Sequence, residues 1–222
     1  MDKNRQAIEY MREQKYEEAA VLFNEIIEEN PEDPVGYINF GNLLLHINDY
    51  ERAERFFNRA LELDAHAATA YYALGNTYFE QADYKQAKDF FKKAIDHGLD
   101  EEADVYYMLG FSLQKEEQNL LAIPFLQRAA ELDPDNEEFL FQYGLALAQN
   151  NHIDQAESVF HEVLSKNKQH SDAYYNLGVI SLFKENAEAA LEYFHKAVDI
   201  QPGHILAQNG IKQVENLLSG NE

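Results

Sequence analysis

The sequence predicts an all-α protein made of repeated helical hairpins, and three observations carry this prediction. The hexapeptide AYYALG at residues 70–75 returns as VYYMLG at 105–110 and as AYYNLG at 173–178. Glycines recur along the chain at intervals of 34 or 35 residues. Between them, apolar residues follow one another at three- and four-residue spacing, which is the period of an amphipathic helix. A repeat of roughly 20–50 residues is typical of stacked helical arrays.

Five glycines mark the repeat: Gly41, Gly75, Gly110, Gly144 and Gly178. Each is followed twelve residues later by an alanine, and four residues after that by a bulky apolar side chain such as Phe57 or Phe194. The same spacing, extended backwards, meets Ala7, Ala19 and Phe23, which gives six repeats. We expect the glycine and the alanine to let two helices cross closely, because a larger side chain there would cost about 1–3 kcal/mol. We expect the bulky residue to fill the gap to the neighbouring pair.

Polar and proline residues predict where the helices start and stop. Asp49 and Asp83 precede second helices and are good N-caps. Three prolines follow second helices and separate one repeat from the next: Pro31, Pro134 and Pro202. Pro124 lies about one turn inside the second helix of the fourth repeat, where it should remove a backbone hydrogen bond and bend the start of the helix.

This pattern resembles the tetratricopeptide repeat (TPR), in which small residues recur at repeat positions 8, 20 and 27, with an aromatic residue at 24 and proline at 32. Leu99 departs from the pattern at the proline position of the third repeat. The resemblance covers essentially the whole chain. It implies an all-α, right-handed TPR superhelix (α-solenoid) in a single domain, 1–222. The predicted repeats are 1–33, 34–67, 68–102, 103–136, 137–170 and 171–204.

After the sixth repeat, residues 205–218 predict a capping helix with one apolar face. Ala207, Ile211, Val214 and Leu218 share that face. Lys212 stands where each repeat has its small residue, and a helix that crosses no second helix does not require one. We expect the outer face of this helix to be polar, because the ends of such arrays face water.

Composition limits the classes of function. The chain carries 18 basic and 40 acidic residues, a formal charge of −22, so direct binding to nucleic acid or to an anionic membrane is disfavoured. A basic protein partner is favoured instead. Cysteine is absent, which excludes disulfides and thiolate chemistry. The first residues contain no apolar run typical of a signal peptide. These features, with a resemblance to small bacterial TPR proteins, predict a bacterial, cytoplasmic protein.

Motifs that would indicate catalysis are missing from the sequence. It contains no GxxxxGK[ST], GxGxxG, HExxH or GxSxG pattern. His161 and His195 occupy equivalent repeat positions, as do His170 and His204, and neither pair has a third metal ligand at a suitable spacing. We therefore expect no enzyme, no cofactor and no metal site.

The resemblance implies that the first helix of each pair lines a concave groove through repeat positions 2, 5, 6, 9, 12 and 13. Aromatic rings there could bind Lys or Arg through their faces, and amides could bind an extended backbone. Packing against the next helix is an alternative explanation for the aromatic residues, and complementation of the helix dipole is by itself enough to explain the acidic ones. The candidate groove residues are Asn39, Asn42, Tyr72, Asn76, Phe79, Asp104, Tyr107, Phe111, Glu138, Phe141, Leu145, Asp172, Tyr175, Asn176 and Val179.

The predicted function is that of a scaffold or adaptor that binds an apolar and basic peptide segment of a partner protein in the groove. The carboxylate clamp of TPR co-chaperones is disfavoured, because its cationic positions hold Ile38, Tyr72, Asp104 and Met108. Self-assembly is the alternative: the groove would receive the capping helix of a second copy, through Ile205, Leu206, Ile211 and Leu217. A homo-oligomer would then form.

Overall fold

The computed structural model describes residues 2–220, and all regular structure within that range is helical. The all-α fold predicted from the repeat is confirmed. The helices described are α1 (Lys3–Arg12), α2 (Tyr16–Glu29), α3 (Pro34–His46), α4 (Tyr50–Leu63), α5 (Ala68–Glu80), α6 (Tyr84–Asp96), α7 (Ala103–Lys115), α8 (Asn119–Leu132), α9 (Glu137–Gln149), α10 (Ile153–Lys166), α11 (Ser171–Phe183), α12 (Ala187–Ile200) and α13 (Ile205–Ser219). Within the described range, none of these helices has both the length and the apolarity needed to cross a membrane.

The chain divides into two compact units, residues 1–118 and 119–222. The first unit contains the hairpins α1–α2, α3–α4 and α5–α6, followed by α7. The second opens with α8, continues with the hairpins α9–α10 and α11–α12, and includes α13. The division falls between the two helices of the predicted fourth repeat, 103–136. That the whole chain forms a single domain stays a prediction.

Four hairpins, α3–α4, α5–α6, α9–α10 and α11–α12, are packed around a glycine and a phenylalanine ring. A Cβ atom added to Gly75 of α5 would lie 2.5 Å from Cε1 of Phe91 on α6, and one added to Gly178 of α11 would lie 2.5 Å from Cε1 of Phe194 on α12. The ring therefore covers the glycine of its own hairpin, where the sequence suggested only the gap to the next pair. Phe194 covers the glycine of its own hairpin and also fills the gap to the next helix, because it contacts Gly210 of α13.

The turn inside each hairpin adopts one recurring conformation. The second-to-last residue before the second helix has a positive φ of about 60° and is never glycine: Gln14, Asn48, Ala82, Glu117, Asn151 and Glu185. The predicted N-caps that follow are confirmed. The Asp49 carboxylate accepts from the Arg52 amide, and the Asp83 carboxylate accepts from the Gln86 amide.

Helix α13 buries only a narrow stripe. Ala207 and Val214 are buried and Ile211 is partly buried against the α12 core, as predicted. Leu218 was predicted on the same face, but it is 51 % exposed. Further apolar residues of α13 face water, so its outer surface is not the polar one that was expected: Ile205, Leu206 and Leu217.

Candidate functional site

Three aromatic side chains of the first unit form a continuous surface, which we call the aromatic ladder: Phe79 of α5 with Tyr107 and Phe111 of α7. The rings of Phe79 and Phe111 stack with centroids 5.5 Å apart, and those of Tyr107 and Phe111 stack at 5.6 Å. Tyr107 and Phe111 are four residues apart and so share one helix face. All three remain partly exposed.

A positively charged side chain of the protein itself lies against the ladder. The Lys115 ammonium group lies over the Phe111 ring, 4.8 Å from its centroid. A positive charge over an aromatic face is stabilised by about 0.5–2 kcal/mol, depending on its exposure to water. The ladder can therefore accept Lys or Arg side chains as well as apolar ones.

Tyr72 joins the hydrophobic core more than the surface. Its ring packs against Phe91 at a centroid distance of 5.7 Å. Burial raises the pKa of the Tyr72 hydroxyl and the negative charge of Asp104 raises it further, whereas the Asn76 amide beside it lowers it. Tyr72, Asn76 and Asp104, which were all predicted to line the groove, therefore lie close together. The raised pKa keeps the Tyr72 hydroxyl protonated.

Two other asparagines of the first unit differ in their surroundings. The Asn39 side chain donates to the Asn4 side-chain oxygen at 2.9 Å, which ties α3 to α1. Asn42 is exposed on α3. Of the two, only Asn42 is presented to water as an amide that could bind a peptide backbone.

In the second unit, the aromatic residues at repeat position 5 pack inward. Phe141 is only 8 % exposed, and its ring lies 5.7 Å from Phe160 and 4.4 Å from His170. Tyr175 has the same arrangement one repeat later, against Phe194 at 5.7 Å and His204 at 5.2 Å. Packing accounts for Phe141, and Tyr175 offers only part of its ring to a ligand.

The apolar surface of the second unit lies elsewhere on the same helices. Val179 is 40 % exposed on α11, and Phe183, one turn further along, is 63 % exposed. Leu145 on α9 is partly exposed. The sequence reasoning named Val179 and Leu145 but missed Phe183. The available signal was its place at repeat position 13, which the resemblance assigns to the groove.

The three acidic residues at repeat position 2 are exposed in the first turns of α7, α9 and α11: Asp104, Glu138 and Asp172. Glu138 accepts a hydrogen bond from Gln142 at 2.9 Å. One oxygen of Asp172 lies 3.1 Å from Nε2 of buried His204, within ion-pair distance but outside hydrogen-bond geometry. Asn176 donates to the Asp172 main-chain oxygen. Each carboxylate also complements the positive end of its helix.

His170 and His204 have a structural role that the sequence did not suggest. Each caps a helix, because its Nδ1 atom accepts from the main-chain N–H of Ala173 or Ala207 at 3.2 Å. Among residues 2–220, no group of three or more histidine, aspartate or glutamate side chains is arranged to hold a metal ion.

The fold and these surfaces define a class of protein built from repeated helical hairpins, with aromatic and acidic residues on their first helices. Sequence comparison identifies the family. Tetratricopeptide repeat matches cover residues 37–97, 72–137, 113–178 and 171–204. The chain belongs to the tetratricopeptide repeat family, as predicted.

One relative is similar in both sequence and structure. The crystal structure of YrrB, described as a TPR protein with an unusual peptide-binding site, is 50 % identical and matches with a TM-score of 0.80, over 86 % of this chain and 97 % of that one. A curated TPR repeat-containing protein YrrB from Bacillus subtilis (strain 168) is 54 % identical over 39 residues, which span 18 % of this chain and 19 % of that protein's length.

Two more distant structures share the fold alone. PilF of Pseudomonas aeruginosa matches with a TM-score of 0.79 at 16 % identity, over 96 % of each chain. MamA matches with a TM-score of 0.69 at 24 % identity, over 73 % of this chain and 94 % of that one. Their likeness adds to the assignment of the fold and carries no function.

Proposed function

We propose that this protein is a non-enzymatic scaffold or adaptor whose aromatic ladder binds a peptide segment of a partner protein. The segment is apolar and basic. The observation that carries the proposal is the stack of Phe79, Phe111 and Tyr107, partly exposed, with an ammonium group already seated on one ring. The cytoplasmic location expected from the sequence is part of this proposal.

Charge and ring chemistry together favour that class of ligand. Aromatic side chains contribute a large contact area with little loss of conformational freedom, so they are effective anchors at interfaces. Exposed Asp104 lies at the start of the same helix as two of the rings, in a chain of formal charge −22. Such a surface attracts a basic segment and repels an acidic one.

The second unit offers a separate apolar surface on α11. Val179 and Phe183 are exposed four residues apart, next to partly exposed Tyr175. We propose that this surface also receives apolar side chains of a partner. The likeness to YrrB, which is described as having a peptide-binding site, supports a binding role for the chain without locating the site.

The proposal is tested with a Tyr107→Ala/Phe111→Ala variant. The ligands are two fluorescent peptides in which Leu alternates with Lys or with Glu, and pull-downs from bacterial lysate accompany them. We expect the Lys peptide to bind the wild type more tightly than the Glu peptide, and the variant to bind it about tenfold more weakly, since tenfold is 1.4 kcal/mol and two rings are lost. Raising the salt concentration should weaken binding.

A matched control removes the same two residue types elsewhere in the unit. Tyr78 and Phe90 stack at 5.3 Å, and Tyr78 donates to Glu54, so Tyr78→Ala/Phe90→Ala perturbs the fold at least as much. We expect this control to bind the Lys peptide like the wild type once circular dichroism shows it folded. Equal peptide binding and equal partner recovery by the wild type and the Tyr107→Ala/Phe111→Ala variant would end the proposal.

Self-assembly remains a second candidate, because α13 exposes large apolar residues to water. Ile205, Leu206 and Leu217 are 69 %, 58 % and 67 % exposed. Ile211, which the sequence reasoning placed in the same ligand, instead packs partly against the core of α12. A second copy would cover the exposed residues through its own apolar surface.

A further inference from the structure

Two histidines of the first unit that are not part of the aromatic ladder face each other. His66 lies in the turn between α4 and α5, and His97 follows directly after α6. Their Nδ1 atoms are 3.2 Å apart, with ring centroids 5.2 Å apart and ring planes tilted by 56°. His66 is exposed and His97 partly exposed, so the pair is open to solvent.

Neighbouring contacts hold the His97 ring and the backbone of His66 in place. The His97 ring stacks on Tyr71 with centroids 4.8 Å apart, and the Tyr71 hydroxyl donates to the main-chain oxygen of Ala65. The His66 main-chain N–H donates to the Asp64 carboxylate at 2.9 Å. The pair is therefore partly organised before any ligand arrives, which reduces the entropy lost on binding.

We propose that His66 and His97 bind one divalent transition-metal ion of the kind that prefers imidazole ligands, such as Zn²⁺, Ni²⁺ or Cu²⁺. Metal–nitrogen bonds of this class are about 2.0–2.1 Å long, so two nitrogens at right-angled to tetrahedral positions lie about 2.9–3.4 Å apart. The separation of the Nδ1 atoms, 3.2 Å, falls in that interval. Imidazole nitrogens are the protein ligands that these ions favour over carboxylates alone.

The remaining coordination positions belong to water. No third histidine or carboxylate is arranged to complete a metal group in the described part of the chain, so the ion exchanges with solvent. Without metal, one ring donates a hydrogen bond to the other through the same Nδ1 atoms. Metal binding replaces that hydrogen bond and requires both imidazoles to be neutral, so acid weakens it.

Two charges act on the ion in opposite directions. The Lys93 ammonium lies 5.9 Å from the centroid of the Tyr71 ring, on which His97 stacks, and repels a cation. The net formal charge of the whole chain, −22, attracts a cation. Bound metal ties the turn after α4 to the end of α6, which joins two consecutive hairpins.

The test titrates the full chain with NiCl₂ by isothermal calorimetry at neutral pH, in a buffer that does not chelate metals. We expect one ion per chain, and at least tenfold weaker binding for His66→Ala and for His97→Ala. The control is His161→Ala/His195→Ala, which removes two exposed histidines at equivalent repeat positions. We expect it to bind Ni²⁺ like the wild type. MgCl₂ measures binding to carboxylates alone and should give no one-ion transition.

A second readout reports which histidines bind the ion, not how tightly they bind it. In ¹⁵N NMR spectra, Zn²⁺ should shift the Nδ1 resonances of His66 and His97 and leave those of His161 and His195 in place. Circular dichroism establishes that each variant is folded. Absence of binding by the wild type, equal affinity in His66→Ala, or an equal loss in the His161→Ala/His195→Ala control would each overturn the proposal.

Discussion

At Gly178, the hydrogen atom that replaces a side chain lies directly against the ring of Phe194, which is 1 % exposed. The same contact joins Gly75 to Phe91 in the first unit and Gly144 to Phe160 in the second. The glycine thus gives room for a large buried ring at the helix crossing. This contact explains why the repeat alternates its smallest residue with one of its largest.

We predict that Gly178→Ala destabilises the protein. A helical Gly→Ala change is normally favourable by about 0.5–1 kcal/mol, but here the new Cβ would lie 2.5 Å from the Phe194 ring. Overpacking of this kind costs about 1–3 kcal/mol, which exceeds the gain. Urea unfolding monitored by circular dichroism measures the change in free energy.

The control for this change is Gly203→Ala in the same unit, where a Cβ atom would meet nothing within 4 Å. We expect its free energy of unfolding to stay within about 0.5 kcal/mol of the wild type. A Gly178→Ala protein as stable as the Gly203→Ala protein would contradict the packing described.

Single positions also show where sequence reasoning about the site reaches its limit. Phe141 and Phe183 are both aromatic and both stand at positions assigned to the groove, yet one is 8 % and the other 63 % exposed. The difference depends on whether a partner ring lies within reach: Phe141 has Phe160 and His170. Such neighbours come from other helices, and one sequence does not reveal them.

At the scale of the element, helix ends were predictable and turn geometry was not. Asp49 and Asp83 signalled N-caps because their side chains can satisfy free N–H groups. The left-handed residue of each turn is Gln, Asn, Ala or Glu, without the glycine that normally signals such a φ. Asparagine tolerates such a φ, but Gln, Ala and Glu do not favour it, so local residue preference did not indicate a conformation shared by all these turns.

We predict that Pro124→Ala stabilises the second unit by about 1–3 kcal/mol. Pro124 lies inside α8 and is exposed, so it removes a helical hydrogen bond while burying little surface. Alanine would restore the N–H donor and relieve the clash of the proline ring with the preceding turn. Thermal and urea unfolding measure the gain.

The matched control for this helix is Ser158→Ala in α10. Ser158 is exposed and stands 34 residues after Pro124, at the equivalent repeat position. We expect a change within about 0.5 kcal/mol. If Pro124→Ala left the stability unchanged or lowered it, proline would have to make a contact that its exposure does not indicate.

For the whole molecule, repetition made the fold predictable and indicated Phe79, Tyr107 and Phe111 as groove residues, but it did not indicate the histidine pair. Because the same spacing recurs six times, a departure at a single position, such as Leu99 at the proline position of the third repeat, does not change the predicted fold. A site depends on what differs between copies. His66 and His97 are 31 residues apart, which is not the repeat spacing, because one lies in a loop and the other at a helix end. The repeat pattern therefore gave no reason to pair them.

The charge of −22 separates the two candidate functions, because salt acts on them in opposite directions. Screening weakens attraction to a basic segment but also weakens repulsion between two copies. The Debye length falls from about 30 Å at about 0.01 M NaCl to about 8 Å at about 0.15 M. If α13 binds a second copy, sedimentation should therefore show more dimer at the higher salt concentration. Leu206→Asp/Leu217→Asp should abolish the dimer, since it buries unpaired charge.

A pair of equally exposed leucines on α8 provides the control. Leu120 and Leu121 are 64 % and 57 % exposed, so Leu120→Asp/Leu121→Asp adds the same charge and removes the same apolar groups away from α13. We expect this control to dimerise like the wild type. A wild type that stays monomeric at both salt concentrations would exclude self-assembly at the concentrations tested. Loss of the dimer in both double variants would show that added charge, and not the α13 surface, governs association.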